Sequence, residues 1–164
     1  MKMSCSGFGK IRSRRGFSLI ELMVVIGLFA ILIAIGVPNL MKFRATSAAY
    51  QCARSLVADI EETRNLSLRT ENPAYITFSS TDNRYDIYYY DDSKGADRLY
   101  KRVQVKKDFG ASVSLDTGSL SEIRFVSQGF VDTSNSSETV QVKSGGINYS
   151  VVVTKNGKCH VKEG

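Results

Sequence analysis

The longest pattern in the chain is a run of apolar side chains near its start. Sixteen residues, Leu22–Val37, carry no charged or hydrogen-bonding side chain, and the run extends back to Phe17 with only Ser18 and Glu21 inside it. A helix over these twenty-one residues, rising about 1.5 Å per residue, is about 31 Å long, close to the ~30 Å hydrocarbon core of a bilayer. The pattern therefore predicts a transmembrane helix over residues 17–38.

An amphipathic pattern follows. Small or apolar side chains recur at steps of three and four residues, at Ala45, Ala49, Cys52, Leu56, Ile60 and Thr63. Charged side chains fill most positions between them, at Lys42, Arg44, Arg54, Asp59, Glu61, Glu62, Arg64 and Arg69. This pattern predicts a helix over residues 39–72 that continues into a folded domain and packs one face on it. Asn72-Pro73 ends the helix, because the residue before a proline disfavours helical backbone.

Pro38 lies between the two helical patterns. Proline has no amide hydrogen, and its ring opposes the carbonyl group four residues back, so a helix bends or loosens there. The sequence predicts a helix kink at Pro38, with a plain helix exit at the membrane surface as the alternative.

The remaining residues, 73–164, have the pattern of an antiparallel β domain. Turn residues such as Asn156-Gly157 separate segments rich in Val, Ile, Tyr and Phe. The predicted strands are Ala74–Ser79, Arg84–Tyr90, Leu99–Lys106, Ala111–Leu115, Glu122–Ser127, Glu138–Lys143, Ile147–Thr154 and Lys158–Lys162. One long helix packed on an antiparallel sheet or sandwich gives an α+β fold class, and about 120 residues suffice for a single core.

The net charge carries a topology signal. A net charge of +6 at pH 7 would by itself favour an anionic partner, such as nucleic acid or an anionic membrane. Residues 1–16, however, hold five of the 22 basic side chains and no acidic one, and the rest of the chain has 17 basic against 16 acidic side chains. Because basic segments tend to stay on the cytoplasmic side of a membrane helix, we expect a cytoplasmic N-terminus.

The apolar run contains a carboxylate that needs an explanation. A charge inside such a span costs about 2–3 kcal/mol, so Glu21 is expected to have a role. The segment Arg14-Arg15-Gly16-Phe17-Ser18-Leu19-Ile20-Glu21-Leu22 closely resembles the processing motif of type IV prepilins and of the pseudopilins of type II secretion systems. The glycine, the phenylalanine, the acidic residue in fifth place after the cut and the long apolar helix are all in register.

The resemblance implies how the N-terminus is processed. Prepilin peptidase would cut between Gly16 and Phe17, remove residues 1–16 as a basic leader, keep the apolar helix and methylate Phe17. In this family the glutamate pairs with the terminal amine of a neighbouring subunit, which implies an assembly role for Glu21. The implied partners are prepilin peptidase, other minor and major pilins or pseudopilins, the inner-membrane assembly platform and the lipid bilayer. The implied location is the bacterial inner membrane, crossed once, with residues 39–164 in the periplasm.

Two simpler interpretations of the N-terminus stay open. A secretory signal peptide would be cut after a small-x-small site such as Ala34-Ile35-Gly36, and a simple signal anchor would remain uncut. Neither interpretation gives Glu21 a role.

Three later segments, Leu56–Arg69, Arg124–Phe130 and Asn156–Lys158, resemble the H-type minor pseudopilins and the related minor pilins called FimT. The resemblance implies a structural subunit and not an enzyme. Such a subunit would join a periplasmic pseudopilus, near its tip, and support protein export by a type II secretion system. A FimT-like minor pilin acting in pilus assembly or DNA uptake is the alternative.

DNA is the less favoured partner. Some FimT-like proteins have a C-terminal Gly-Arg-x-Arg motif linked to DNA binding, but the matching positions here are Gly157, Lys158 and His160, without either arginine. Lys155, Lys158, His160 and Lys162 could still contact phosphates. Lysines that protect a solvated edge strand explain the same residues.

Few other residues suggest a disulfide, a catalytic site or a metal site. Cys52 and Cys159 would both enter the oxidising periplasm, where they could form a disulfide or stay separate thiols. His160 is the only histidine, so no histidine-based triad or multi-histidine metal site can be assembled. The Asp91–Asp97 loop has oxygen ligands but lacks the final glutamate of an EF-hand, where Arg102 stands. We therefore expect no catalytic residue, no cofactor and no metal.

Overall fold

The computed structural model describes residues 17–133 and 136–164. One long helix, α1, runs from Leu19 to Thr70 over 52 residues and confirms the predicted N-terminal helix. Eight strands and a short second helix follow it in the described residues. Their bounds are β1 Ala74–Ser79, β2 Arg84–Asp91, β3 Ala96–Gln104, α2 Val105–Asp108, β4 Ser114–Asp116, β5 Glu122–Phe125, β6 Ser137–Ser144, β7 Ile147–Thr154 and β8 Cys159–Glu163.

The strands form two antiparallel sheets of four strands each. The first has the order β3-β2-β1-β5, and the second has the order β4-β6-β7-β8. The α+β fold class, with one long helix and an antiparallel β domain, is therefore confirmed. The chain divides into two compact units, residues 1–39 and Leu40–Gly164, and both sheets belong to the second.

One core serves the whole second unit. Cys52, Leu56 and Ile60 of α1 are fully buried in it. The first sheet contributes Ile76, Tyr85, Ile87, Ile123 and Phe125, and the second contributes Val140, Val142, Val151 and Val153. Burying each large apolar side chain stabilises the fold by about 1.5–3 kcal/mol, so this helix face holds both sheets against it.

The buried face of α1 agrees with the predicted face at most positions. Ala49, Cys52, Leu56, Ile60 and Thr63 are buried, whereas Ala45 is only half-buried. Asp59, placed by the sequence among the solvent-facing charges, is buried as well. That expectation was wrong, and the next subsection gives the partners that allow the burial.

The helix ends as the sequence predicts, just before Asn72-Pro73. Glu71 has φ 54°, in the left-handed region that stops a helix. The Asn72 side-chain amide then donates to the carbonyl oxygen of Thr70 at 2.9 Å and satisfies one of the last helical acceptors.

One departure from the predicted strands lies at the end of β3. The sequence predicts strand up to Lys106, but the chain turns into α2 at Val105. The Asp108 carboxylate accepts a hydrogen bond from the backbone N–H of Gln104 at 3.0 Å, which stabilises this turn. A local side-chain bond of this kind competes with strand pairing.

Candidate assembly and docking sites

The N-terminal motif opens directly into α1. The backbone N–H of Leu22 donates to the carbonyl oxygen of Ser18 at 3.2 Å and closes the first turn. Phe17, which would be the new N-terminal residue, is 80% exposed. Gly16 and the rest of the expected leader lie outside the described residues.

Glu21 stands in the first turn of the helix, four residues after Phe17 and therefore on the same side of it. Its carboxylate is exposed, and a negative charge in a first turn is favoured by the helix dipole. Within the described part of the chain, no residue forms an ion pair or a hydrogen bond with this carboxylate. A cation that neutralises Glu21 in an apolar environment must then come from the chain's own terminus or from another molecule.

The apolar part of α1 is exposed on all sides. Every residue from Phe17 to Arg44 is exposed, including Ile35 at 71%. A helix that is apolar all round needs a nonpolar surrounding, either protein or lipid. Among the described residues, α1 is the one helix long and apolar enough to cross a membrane, and it lies near the N-terminus. This exposure supports membrane anchoring.

Pro38 lies inside α1, which continues for more than thirty residues beyond it. The helix therefore does not end at Pro38, and its exit from the membrane surface there stays an alternative. The kink at Pro38 stays a prediction.

A buried polar cluster joins α1 to the first sheet. Asp59 is 3% exposed. Its Oδ2 accepts the Tyr85 hydroxyl at 2.7 Å, and its Oδ1 accepts the Lys101 ammonium at 2.6 Å. Burial first, and the Asp59 carboxylate second, raise the pKa of Tyr85 far above its ordinary value, so the phenol stays a hydrogen-bond donor. We call Asp59, Tyr85 and Lys101 the Asp59 clamp.

A register irregularity in β3 completes this connection. Ile87 pairs with Lys101, but Tyr88 pairs with Leu99, which leaves Tyr100 as an extra residue. Such a bulge redirects side chains. Consecutive residues thus both contact α1, Lys101 at Asp59 and Tyr100 through its hydroxyl at Glu62 Oε1, 2.5 Å away.

Arg64 of α1 connects two further segments. Its Nε donates to the carbonyl oxygen of Gly129 at 3.0 Å. Gly157, in the β7–β8 turn, lies so close that an added Cβ would be 2.6 Å from the Gly129 oxygen and 2.8 Å from Arg64 Nε. The three segments in which the sequence resembles H-type pseudopilins therefore meet at Arg64.

Comparison with known proteins bears on both parts of the chain. The family described as the prokaryotic N-terminal methylation motif matches residues 11–37. The type IV major pilin protein PilA of Myxococcus xanthus (strain DK1622) is 48% identical over 44 residues, 27% of this chain and 20% of PilA. The match thus spans about a fifth of that relative. The expected methylation motif is confirmed.

Two solved structures share the fold. The minor pseudopilin EpsH from the Type 2 Secretion System of Vibrio cholerae has a TM-score of 0.55 and 12% identity, over 70% of this chain and 96% of EpsH. The chain therefore combines the N-terminal methylation motif with the fold of this pseudopilin. The type IV minor pilin FimU of Pseudomonas aeruginosa PAO1 has a TM-score of 0.56 and 14% identity, over 76% of this chain and 92% of FimU. At such identities the likeness to EpsH and FimU concerns the fold alone.

The C-terminal basic residues lie along the second sheet. His160 and Lys162 are on β8, opposite Val152 and Ser150 of β7, and both are exposed. Lys155 and Lys158 flank the turn into β8 and are also exposed. All four therefore lie on or beside the edge strand of the second sheet, and their contact with DNA stays a prediction.

The disulfide between Cys52 and Cys159 does not form in this structure, where both thiols are free. Cys52 is fully buried in the core. The Cys159 sulfur lies against the Val57 carbonyl oxygen at 3.7 Å and Glu61 Oε1 at 3.6 Å. Val57 and Glu61 lie farther along α1 and on other faces than Cys52, since successive residues turn by about 100°. In the structure the two thiols are separate, the other outcome considered from the sequence.

Hydrogen bonds within the chain organise the Asp91–Asp97 loop. Asp91 Oδ1 accepts from the Ser93 hydroxyl at 2.6 Å and from its backbone N–H at 3.1 Å, while Asp91 Oδ2 accepts from Arg98 at 3.2 Å. The Ser93 bonds and Arg98 lower the pKa of Asp91. The arrangement is that of a polar hairpin.

Proposed function

We propose that this protein is a minor pseudopilin, a structural subunit that joins a periplasmic pseudopilus and supports protein export by a type II secretion system. The observation that carries the proposal is the combination of an N-terminal methylation motif at residues 11–37 with a fold that matches EpsH along 96% of its length. The motif supplies the route into a filament, and the domain supplies the surfaces that distinguish a minor subunit.

Processing precedes assembly in this proposal. Prepilin peptidase cuts between Gly16 and Phe17, and the amine of Phe17 becomes methylated and keeps its positive charge. Glu21 lies one turn into α1 without a cation from the described residues of its own chain. Pairing with the terminal amine of a neighbouring subunit would neutralise two charges that are each costly in an apolar environment.

The topology follows from the charges. The basic leader stays in the cytoplasm, the apolar part of α1 crosses the inner membrane, and Leu40–Gly164 folds in the periplasm. The apolar helix then leaves the bilayer sideways into the filament, where neighbouring helices replace lipid around it. The assembly platform and the other pseudopilins are the partners at this step, and a position near the tip suits a minor subunit.

A type IV pilus is the second candidate setting, and the similarity to the fold of FimU supports it. Genes for secretion beside this gene would favour the pseudopilus, and genes for pili or competence would favour a FimT-like minor pilin. Deleting the gene and measuring secreted proteins, twitching motility and DNA uptake in one strain would separate these roles.

The N-terminal mass of the protein purified from membranes tests the proposal. We expect a chain that starts at N-methylated Phe17 in cells with prepilin peptidase and an uncut chain in cells without it. A chain cut after Gly36 would instead identify an ordinary signal peptide. An uncut chain in both strains would identify a simple anchor and would contradict the proposal.

A further inference from the structure

A groove of about 540 Å³ runs between α1 and the last strand. Tyr50, Val57 and Ala58 line it from the helix, and Tyr149 and Val161 line it from the second sheet. The charged residues Arg54, Glu61 and Glu163 line it as well. Tyr50 is 42% exposed, and its ring lies 5.6 Å from the ring of Tyr149 at a tilted angle. We call this feature the edge groove.

The wall of the edge groove is an open strand edge. β8 is the last strand in the order β4-β6-β7-β8, so one of its sides has no strand partner in the described structure. Two bonds fix which backbone groups face that side. Gly164 N–H donates to Asn148 O, and Thr154 N–H donates to Lys158 O.

In an antiparallel pair, every second residue of a strand directs its backbone N–H and C=O groups toward the neighbouring strand. The backbone groups of residues 158, 160, 162 and 164 therefore face β7. The N–H and C=O groups of Cys159, Val161 and Glu163 therefore face outward. The open edge therefore has three residues whose backbone N–H and C=O groups lack a strand partner in the described structure, which is enough to pair with a short added strand.

Side chains on the two faces of β8 differ in chemistry. Val161 and Glu163 point toward the edge groove, and Cys159 lies against α1. His160 and Lys162 point to the opposite face, and Lys158 lies just before them, all exposed. A strand added here would meet aromatic, aliphatic and charged side chains of the groove on one face, and the basic side chains of Lys158, His160 and Lys162 on the other.

We propose that β8 and the edge groove bind an extended segment of another protein chain by strand addition. The bound segment alternates apolar residues, which enter the groove over Val57 and Val161, with acidic residues, which lie beside Lys162 and His160. Backbone bonds to the open edge give affinity, and the alternation gives specificity. This contact goes beyond the proposed function, since neither N-terminal processing nor Glu21 pairing uses β8.

The charge pattern favours an acidic protein strand over a nucleic acid. The cations form a single line along one strand edge, next to backbone donors and acceptors and an apolar groove. A phosphate backbone would use the cations but neither the groove nor the carbonyl groups of the edge. An added protein strand would use the cations, the groove and the backbone groups of the edge.

The test uses the full-length chain in detergent micelles and a labelled ten-residue peptide with alternating valine and glutamate. We expect saturable binding by fluorescence anisotropy, weakened by salt, and slower hydrogen exchange at the amides of Cys159, Val161 and Glu163. A peptide of the same composition with its valines and glutamates in two blocks should not bind. An alternating valine and lysine peptide should bind at least about threefold more weakly at low salt.

Backbone methylation of the peptide tests strand pairing directly. Directly opposed residues in an antiparallel pair share a face, so methyl groups on the valine nitrogens would block antiparallel addition, and those on the glutamate nitrogens would block parallel addition. One of the two methylated peptides should lose binding at least about tenfold, and the other should keep it. Equal effects of both would overturn the proposal.

Protein variants complete the experiment. Lys162→Glu should weaken binding by about three- to tenfold at low salt, whereas Lys107→Glu, the same charge change on exposed α2, should not. Val161→Pro removes an outward N–H and keeps the bonds to β7, so it should abolish binding with the fold intact by circular dichroism. The proposal would be overturned if the peptide does not bind, or if it binds equally to the two lysine variants. The lysines would then be explained as protection of the edge strand against pairing with other strands. If a DNA duplex displaces the peptide and Lys162→Glu no longer binds the duplex, then the edge binds nucleic acid and the proposal is overturned.

Discussion

Tyr85 of β2 donates its phenolic hydrogen to Oδ2 of Asp59 on α1 across 2.7 Å, and both side chains are buried. This bond joins a helix residue to a strand residue that lies 26 positions later. A buried carboxylate is tolerated only with such partners, so the bond fixes which face of α1 meets the first sheet.

Tyr85→Phe should destabilise the domain by about 1.5–3 kcal/mol, because a buried carboxylate loses one of its two side-chain donors. Tyr89→Phe is the matched control, since the Tyr89 side chain is half-buried and its hydroxyl has no hydrogen bond to the described residues. Urea unfolding of the full chain in micelles, followed by circular dichroism, measures both. Equal losses in the two variants would show that the Asp59 bond adds nothing specific.

Stability should fall in alkali. Burial first, and the Asp59 carboxylate second, raise the pKa of Cys52 to about 12, while a thiol in an unfolded chain titrates near 8.5. Between about pH 9 and pH 12 the unfolded chain has released a proton that the folded chain keeps, so the free energy of unfolding decreases as pH rises.

Cys52→Ala should lower the free energy of unfolding at pH 7. It should also make that free energy decrease less steeply with pH, by up to about 1.4 kcal/mol per pH unit. Urea unfolding at several pH values between 8 and 11 measures the slope. A variant whose slope equals that of the unaltered protein would assign the alkaline loss to other groups, such as Tyr85.

Gly157→Ala should be more harmful than a left-handed backbone alone explains. Gly157 has φ 74°, and the new Cβ would be 2.6 Å from the Gly129 oxygen. Gly146→Ala is the control, since Gly146 has φ 88° and no atom within 4 Å of the added Cβ. We expect a cost of about 1–2 kcal/mol at Gly146 and a clearly larger one at Gly157, by urea unfolding. Similar costs at both sites would mean that Arg64 and the Gly129 carbonyl group can move away from the added Cβ.

Glu21→Val should still insert in the membrane and still be cut after Gly16, yet enter assemblies poorly. Glu21→Gln, which keeps the size and removes the charge, should assemble as poorly if ion pairing is the role of Glu21. N-terminal mass reports the cleavage, and co-purification with partner pilins reports the assembly. Partner yields at the unaltered level would refute the assembly role.

The thiols of Cys52 and Cys159 should remain free in the purified protein. Cys159 contacts Val57 and Glu61, whereas Cys52 faces the core, so a disulfide would require the β7–β8 turn to move. Alkylation without reductant, followed by mass measurement, should label both thiols once the chain is unfolded in urea. A mass two hydrogens lower, with no label, would show a disulfide.

Much of the architecture follows from local patterns. Two strands, β1 and β7, have their predicted bounds, because alternating apolar residues and turn signals are properties of neighbouring positions. The N-terminal motif was recognisable for the same reason, since Gly16, Phe17 and Glu21 are close in sequence. The end of β3 was missed, because the bond between Asp108 and the Gln104 backbone outweighs the strand propensity of Val105.

The sequence by itself determined the apolar helix, its processing motif, the amphipathic extension and the number of strands. Only the tertiary structure decided that Asp59 is buried, that Cys52 and Cys159 are apart and that β8 is an open edge. Each of these depends on partners far away in the chain, Tyr85 and Lys101 for Asp59 and the order of the second sheet for β8. Periodicity reports which face of an element is apolar, whereas the partners of a polar side chain are set by how the elements pack.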